Sequence, residues 1–103
     1  MAMTPEAKVK AKVVKVLKDH APDVYYFFPA TGGYGRSGVP DIVCCVHSRF
    51  LGIECKAGKN KPTALQVREL EAIRQANGIA VVVNEDNWDM IPGLLRKIKE
   101  GNL

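Results

Sequence analysis

The run Ile79-Ala80-Val81-Val82-Val83 constrains this chain more than any other feature. Its five consecutive apolar residues leave no position to face water, which suits a strand buried on both faces and paired in parallel with a neighbour. A parallel partner needs a crossover, and the preceding segment supplies one. Phe50 to Lys56 (FLGIECK) reads as a strand. Thr63-Ala64-Leu65-Gln66 fits a capping box, with Gln66 three residues after the capping hydroxyl. The helix that follows runs to about Ala76 and ends at Asn77-Gly78. Strand, helix and strand predict a right-handed crossover.

The remaining elements complete one layered domain. Thr4-Pro5-Glu6 starts a helix, and Val9, Val13, Val16 and Leu17 recur on one face of it. Pro22 ends it near His20. Val24 to Phe28 (VYYFF) predicts a strand with one core face, and Ile42 to Val46 another. His47-Ser48-Arg49 predicts the turn of an antiparallel hairpin joining Ile42–Val46 to the FLGIECK strand. Pro92 starts a last helix carrying Leu94, Leu95 and Ile98. Residues 1–103 therefore form a single α/β domain, one mixed central sheet flanked by helices.

Composition excludes several classes. The 47% apolar and 25% charged shares are those of a globular chain. No apolar run approaches the roughly 20 residues that cross a bilayer, so no membrane association is expected. The lysine-rich start lacks the apolar stretch of a signal peptide, and the expected setting is intracellular (cytoplasmic). Cys44, Cys45 and Cys55 make an odd count without metal-ligand spacing and are expected to be buried, reduced thiols. The net charge of +4 favours a polyanionic partner only slightly. Lys8, Lys10, Lys12, Lys15 and Lys18 crowd the first helix.

Strand periodicity carries the functional argument. Residues two apart share a face, so Glu54 and Lys56 point one way while Ile53 and Cys55 point the other. Charges in so apolar a strand are costly unless paired or bound to metal. Asp41 opens the neighbouring strand after Pro40, and the hairpin can bring it level with Glu54. Two close carboxylates attract a cation, and Mg²⁺ is commonly held by one or two carboxylates plus waters and phosphate oxygens. Such an ion activates water, and a lysine beside it can orient that water or stabilise a negative transition state. Taken alone, Glu54-Cys55-Lys56 reads more simply as a surface ion pair. The preceding Pro40-Asp41, on an adjacent strand, is what shifts the balance.

Pro40-Asp41, about a dozen residues, then Glu54-Cys55-Lys56 resembles the PD-(D/E)XK nuclease superfamily. Gly38-Val39-Pro40-Asp41-Ile42-Val43, Gly52-Ile53-Glu54-Cys55-Lys56, Leu65-Gln66, and Gly78 before a valine strand resemble its virus-type replication-repair nuclease (VRR-NUC) branch. The resemblance implies a PD-(D/E)XK-like α-β-β-β-α-β core, Mg²⁺ or Mn²⁺ as cofactor, and DNA as substrate. It further implies a homodimer that cuts branched DNA such as four-way (Holliday) junctions. Asp41, Glu54 and the Cys55 backbone carbonyl would hold the metal, and Lys56 would act on the attacking water. Glu6 stands where a first-helix glutamate supports the metal site, although an acid there also suits the helix macrodipole. Gln66 matches a helix glutamine beside the catalytic group, although the capping box explains it as well. One departure is Cys55, where valine is common.

Arg36, Lys59 and Lys61 are the candidate DNA contacts. The glycine-rich loop from Thr31 to Gly38 could gate substrate with Arg36 and Tyr34, or be an ordinary surface loop. His20, His47 and Trp88 are assigned no chemistry. The alternatives to a junction nuclease are a non-catalytic DNA-binding module and a restriction-type or exonuclease activity in the same superfamily.

Overall fold

Thr4 caps the first helix by accepting the Ala7 N–H at 3.1 Å, an arrangement worth roughly 1 kcal/mol. In the computed structural model, which describes residues 3–30 and 35–103, this helix is α1 (Pro5–Asp19). Strands β1 (Val24–Phe27), β2 (Ile42–Val46) and β3 (Arg49–Cys55) follow, then α2 (Ala64–Gln75), β4 (Ile79–Val83), a 3-10 turn over Trp88–Met90, and α3 (Ile91–Lys99). The sheet order is β1-β2-β3-β4. The first two pairings are antiparallel, and β3 with β4 is parallel.

The β2–β3 turn sets the register on which the site depends. His47 (φ 45) and Ser48 (φ 68) both lie in the left-handed region, as a two-residue hairpin loop requires. Arg49, expected in the turn, instead pairs with Val46 as the first residue of β3. Ile42 then pairs with Ile53, and one step further Asp41 comes opposite Glu54. A one-residue slip would turn every β3 side chain to the other face.

One face of the sheet presents Ile42, Cys44, Val46, Leu51, Ile53 and Cys55 to Val9, Val13 and Leu17 of α1 and to Leu94, Leu95 and Ile98 of α3. All are buried, and truncating one such residue, Leu51→Ala, would cost about 2–5 kcal/mol. Trp88 packs against this cluster, as expected of a structural residue. The other face carries α2. A Cβ at Gly52 would lie 2.8 Å from Pro40 Cγ and 3.0 Å from Ile73 Cδ1, so glycine is what lets helix and sheet close here.

Two expectations need correction. β4 is an edge strand, with Ile79, Val81 and Val82 only half-buried, because among the described residues no fifth strand covers its outer side. Cys45 is exposed, whereas Cys44 and Cys55 are buried with thiols pushed up to about 12, mainly by loss of water. Alternation explains the difference: Cys45 faces the α2 side, where the helix does not reach. The aromatic strand has the single core face expected, with Val24 buried and Tyr26 packed against the core while Tyr25 and Phe27 are exposed. The loop expected over Thr31 to Gly38 lies in part, residues 31–34 with Tyr34, outside the described residues. Among the described residues no helix is long and apolar enough to cross a membrane.

Candidate active site

The end of the β2–β3 hairpin farthest from its turn assembles the charged residues. The Cys55 N–H donates to Asp41 Oδ2 at 2.8 Å, which pins the Asp41 carboxylate to the peptide between Glu54 and Cys55. Glu54 is only 2% exposed. Its carboxyl is pushed up to about 7, first by burial and next by the negative charge of Asp41, with Lys56 pulling the other way. Lys56 Nζ lies 3.5 Å from Glu54 Oε2 and is itself largely buried. Its N–H donates to the Val83 carbonyl at 2.9 Å, so the parallel partner strand continues the ladder to the lysine.

Glu6 reaches this group from the first turn of α1. Its Oε1 lies 4.0 Å from Lys56 Nζ, and its side chain is half exposed. It therefore meets the lysine, at the outer limit of an ion pair. Gln66 is half-buried and performs the capping function: the Thr63 N–H donates to its Oε1 at 2.9 Å, and its own N–H donates to Thr63 Oγ1. It also lines, with Asp41, Lys10, Ser37 and Gly38, a polar cleft of about 470 Å³. The capping reading is thus the one observed, and the same residue borders the cleft.

The donor set suits a hard divalent cation. Two carboxylates and a backbone carbonyl are oxygen donors, and one ammonium cannot neutralise both acids. Burial makes the second charge expensive, and the raised Glu54 titration expresses that cost. Among the described residues no group of three His, Cys, Asp or Glu side chains forms a metal cage. The available set is the sparser one that leaves coordination positions to water and to phosphate oxygens.

Arg36, Lys59 and Lys61 are exposed. Arg36 Nη2 lies 3.1 Å from Glu69 Oε2, so the loop arginine is anchored to α2 while its side chain stays 75% exposed. Glu69, buried on α2, gave no sequence signal, because its partner lies 33 positions away. Lys10 was also missed among the five lysines of α1. His47 and Lys99 both contact Asp23, at 2.8 and 2.9 Å, in a cluster away from the cleft.

A mixed sheet flanked by helices, with Asp41, Glu54 and Lys56 gathered at one end, has the α/β topology of a PD-(D/E)XK-like fold. Similarity to solved structures agrees. A chain described as "VRR_NUC domain" is 20% identical over 98% of this chain and 100% of its own length, with a TM-score of 0.67. Another, "VRR_NUC domain protein", is 17% identical over 94% of this chain and 89% of its own, with a TM-score of 0.66. No family model matches the sequence, and no curated protein matches it. The chain thus shares the fold of these two chains.

Proposed function

We propose that this chain is a divalent-metal-dependent DNA endonuclease that hydrolyses phosphodiester bonds in branched DNA such as four-way junctions. The observation that carries the reading is the convergence of Asp41, Glu54 and Lys56, with Asp41 bonded to the Cys55 N–H at 2.8 Å and Lys56 3.5 Å from Glu54. Asp41, Glu54 and the Cys55 carbonyl would hold Mg²⁺ or Mn²⁺. Such an ion, when bound, lowers the pKa of water and offsets charge on the phosphate.

The chain's own groups do the rest. Lys56 donates N–H bonds to the attacking water or to the phosphate oxygen that gains charge as the P–O bond to one sugar breaks. Glu6 steadies that ammonium from the solvent side. Gln66 lines the cleft together with Asp41. Lys59 and Lys61 follow the site in sequence and supply exposed charge for the DNA backbone, whereas Arg36 is engaged by Glu69.

The homodimer belongs to the same reading, since a symmetric junction calls for two cuts and two-fold pairing supplies two sites. Support comes from the part of the sheet that α2 leaves open. Phe27 (48% exposed) and Phe50 (44%) line an apolar groove of about 490 Å³, and the exposed Tyr25 ring lies 6.5 Å from that of Phe27. The rim charges there, Arg36 and Glu69, already pair with each other, so the face suits a second copy better than a polyanion.

The test is a panel of duplex, single-stranded, flap and four-way DNA incubated with Mg²⁺, Mn²⁺ or EDTA, with Asp41→Asn and Glu54→Gln alongside. Metal-dependent cutting of branched substrates, lost in both variants, is expected. Cutting in EDTA, or full activity in both variants, refutes the centre. Binding without cutting returns the non-catalytic module, and end-labelled linear against circular DNA separates endonuclease from exonuclease.

A further inference from the structure

Of the α1 lysines, Lys10 is the one that lines the cleft shared by Asp41 and Gln66. It is half-buried, and its Nζ sits 4.3 Å from the centroid of the Phe28 ring. Among the described residues it has no carboxylate at ion-pairing distance. Glu6, four positions earlier, is the natural helical partner, yet its carboxylate turns to Lys56. Lys12 and Lys15 are engaged elsewhere, over the Trp88 ring at 5.3 Å and with Asp19 at 3.8 Å.

An ammonium over an aromatic face keeps its N–H donors free on the outer side, while the ring restrains the flexible stem. Here the outer side is the polar cleft. Ser37 and Gln66 line the same cleft, and both side chains can donate to an anion. Cleft, free donors and unpaired cation match one ligand class, the oxygens of a phosphodiester.

We infer that Lys10, seated on Phe28, binds a DNA backbone phosphate next to the scissile one, and so sets how the strand enters the cleft. This rests on the nuclease reading and goes beyond it by assigning a substrate-binding residue outside the Asp41, Glu54 and Lys56 group. Lys10 contributes to holding the strand rather than to bond breaking. Its removal weakens binding and leaves the chemical step in place.

The experiment is steady-state cleavage of a four-way junction with Mg²⁺ at several salt concentrations, using wild type, Lys10→Met, Lys10→Arg and Phe28→Leu. Thermal melting checks that each is folded. Lys10→Met is expected to raise KM about fivefold or more, leave kcat within about twofold, and flatten the salt dependence of log KM by a slope of about 1. Lys10→Arg restores most of the loss, and Phe28→Leu falls between. An unchanged KM and salt slope in Lys10→Met, with wild type active, overturns this inference alone. A collapse of kcat at unchanged KM does so too, by moving Lys10 into the chemistry. Wild type that neither cuts nor binds any DNA removes the nuclease reading and this assignment together. Should Lys10→Met fail to fold, Lys10→Gln carries the same expectations.

Discussion

Asp41 and Cys55 are joined by a single hydrogen bond, 2.8 Å from backbone N–H to carboxylate oxygen, that links the start of β2 to the end of β3. The bond orients one acid from the peptide that follows the other. It leaves Asp41 Oδ1 and the Glu54 carboxylate as the oxygens that a cation would take.

That arrangement predicts coupled losses. Asp41→Asn keeps an acceptor for the Cys55 N–H but removes the charge, so the fold should survive while metal-dependent cleavage falls by at least about a hundredfold. Mn²⁺ at ten times its Kd should stabilise wild type by about 1.4 kcal/mol, a shift of several degrees in Tm for a domain this size. Asp41→Asn should lose most of that shift. Melting curves with and without Mn²⁺ decide the point, and an undiminished shift in the variant means the ion binds elsewhere.

The titration of Glu54 sets a pH dependence. Its folded-state pKa, pushed up to about 7 from an ordinary 4.5, means that the folded protein holds the proton where the unfolded chain has released it. This contribution to stability is fully present below about pH 4.5 and is lost as pH rises through 7. Metal-free wild type should therefore lose stability between those limits relative to Glu54→Gln, whose neutral amide has no such proton to lose. Metal binding displaces the same proton, so affinity should climb across this range, with up to one proton released per ion below pH 7. Calorimetry in buffers of different ionisation enthalpy measures that release. Parallel stability profiles for the two proteins would contradict the assignment.

Gly38 holds the cleft wall against α2. Its φ of +82 suits glycine, and a Cβ there would lie 2.7 Å from the Leu65 carbonyl carbon and oxygen. Gly38→Ala should cost about 1–3 kcal/mol in denaturant unfolding and lower cleavage as well, because the displaced segment leads into Asp41. Gly58 is the control: its φ is also positive (+59), but nothing lies within 4 Å of a Cβ there. Gly58→Ala should lose less stability and leave the cleft unaltered. Equal effects at the two glycines would show that packing against α2 is unimportant.

The open sheet face makes its own prediction. Phe27→Lys places a charge in the groove bordered by Phe50 and Ile73 without touching the buried core. Light scattering should report two chains per particle for wild type and one for the variant. A wild-type monomer at working concentration disposes of the dimer, and a dimeric variant moves its interface elsewhere.

Sequence patterning revealed the site where the signals are local. Alternation along FLGIECK put Glu54 and Lys56 on one face, and the short hairpin put Asp41 beside them. What it missed depends on distant partners. The length of the β2–β3 loop decides the register, and His47 and Ser48 in left-handed conformations made it one residue shorter than expected. The position of β4 at the edge depends on strand order, which the composition of IAVVV does not reveal. The exposure of Cys45 follows from how far α2 extends across the sheet. Lys10 differs from its neighbouring lysines only through Phe28 and the cleft, which the helix pattern cannot see.

The capping box at the start of α2 fixes more than a helix end. The Thr63 N–H on Gln66 Oε1 fastens the carboxamide to the first turn of α2 and so fixes which way its amino hydrogens point. A neutral carboxamide is too weak a base to draw a proton from water in any orientation, so what it has for the cleft is hydrogen-bond donors. Loosening the start of the helix would therefore also unsettle a side chain that borders Asp41.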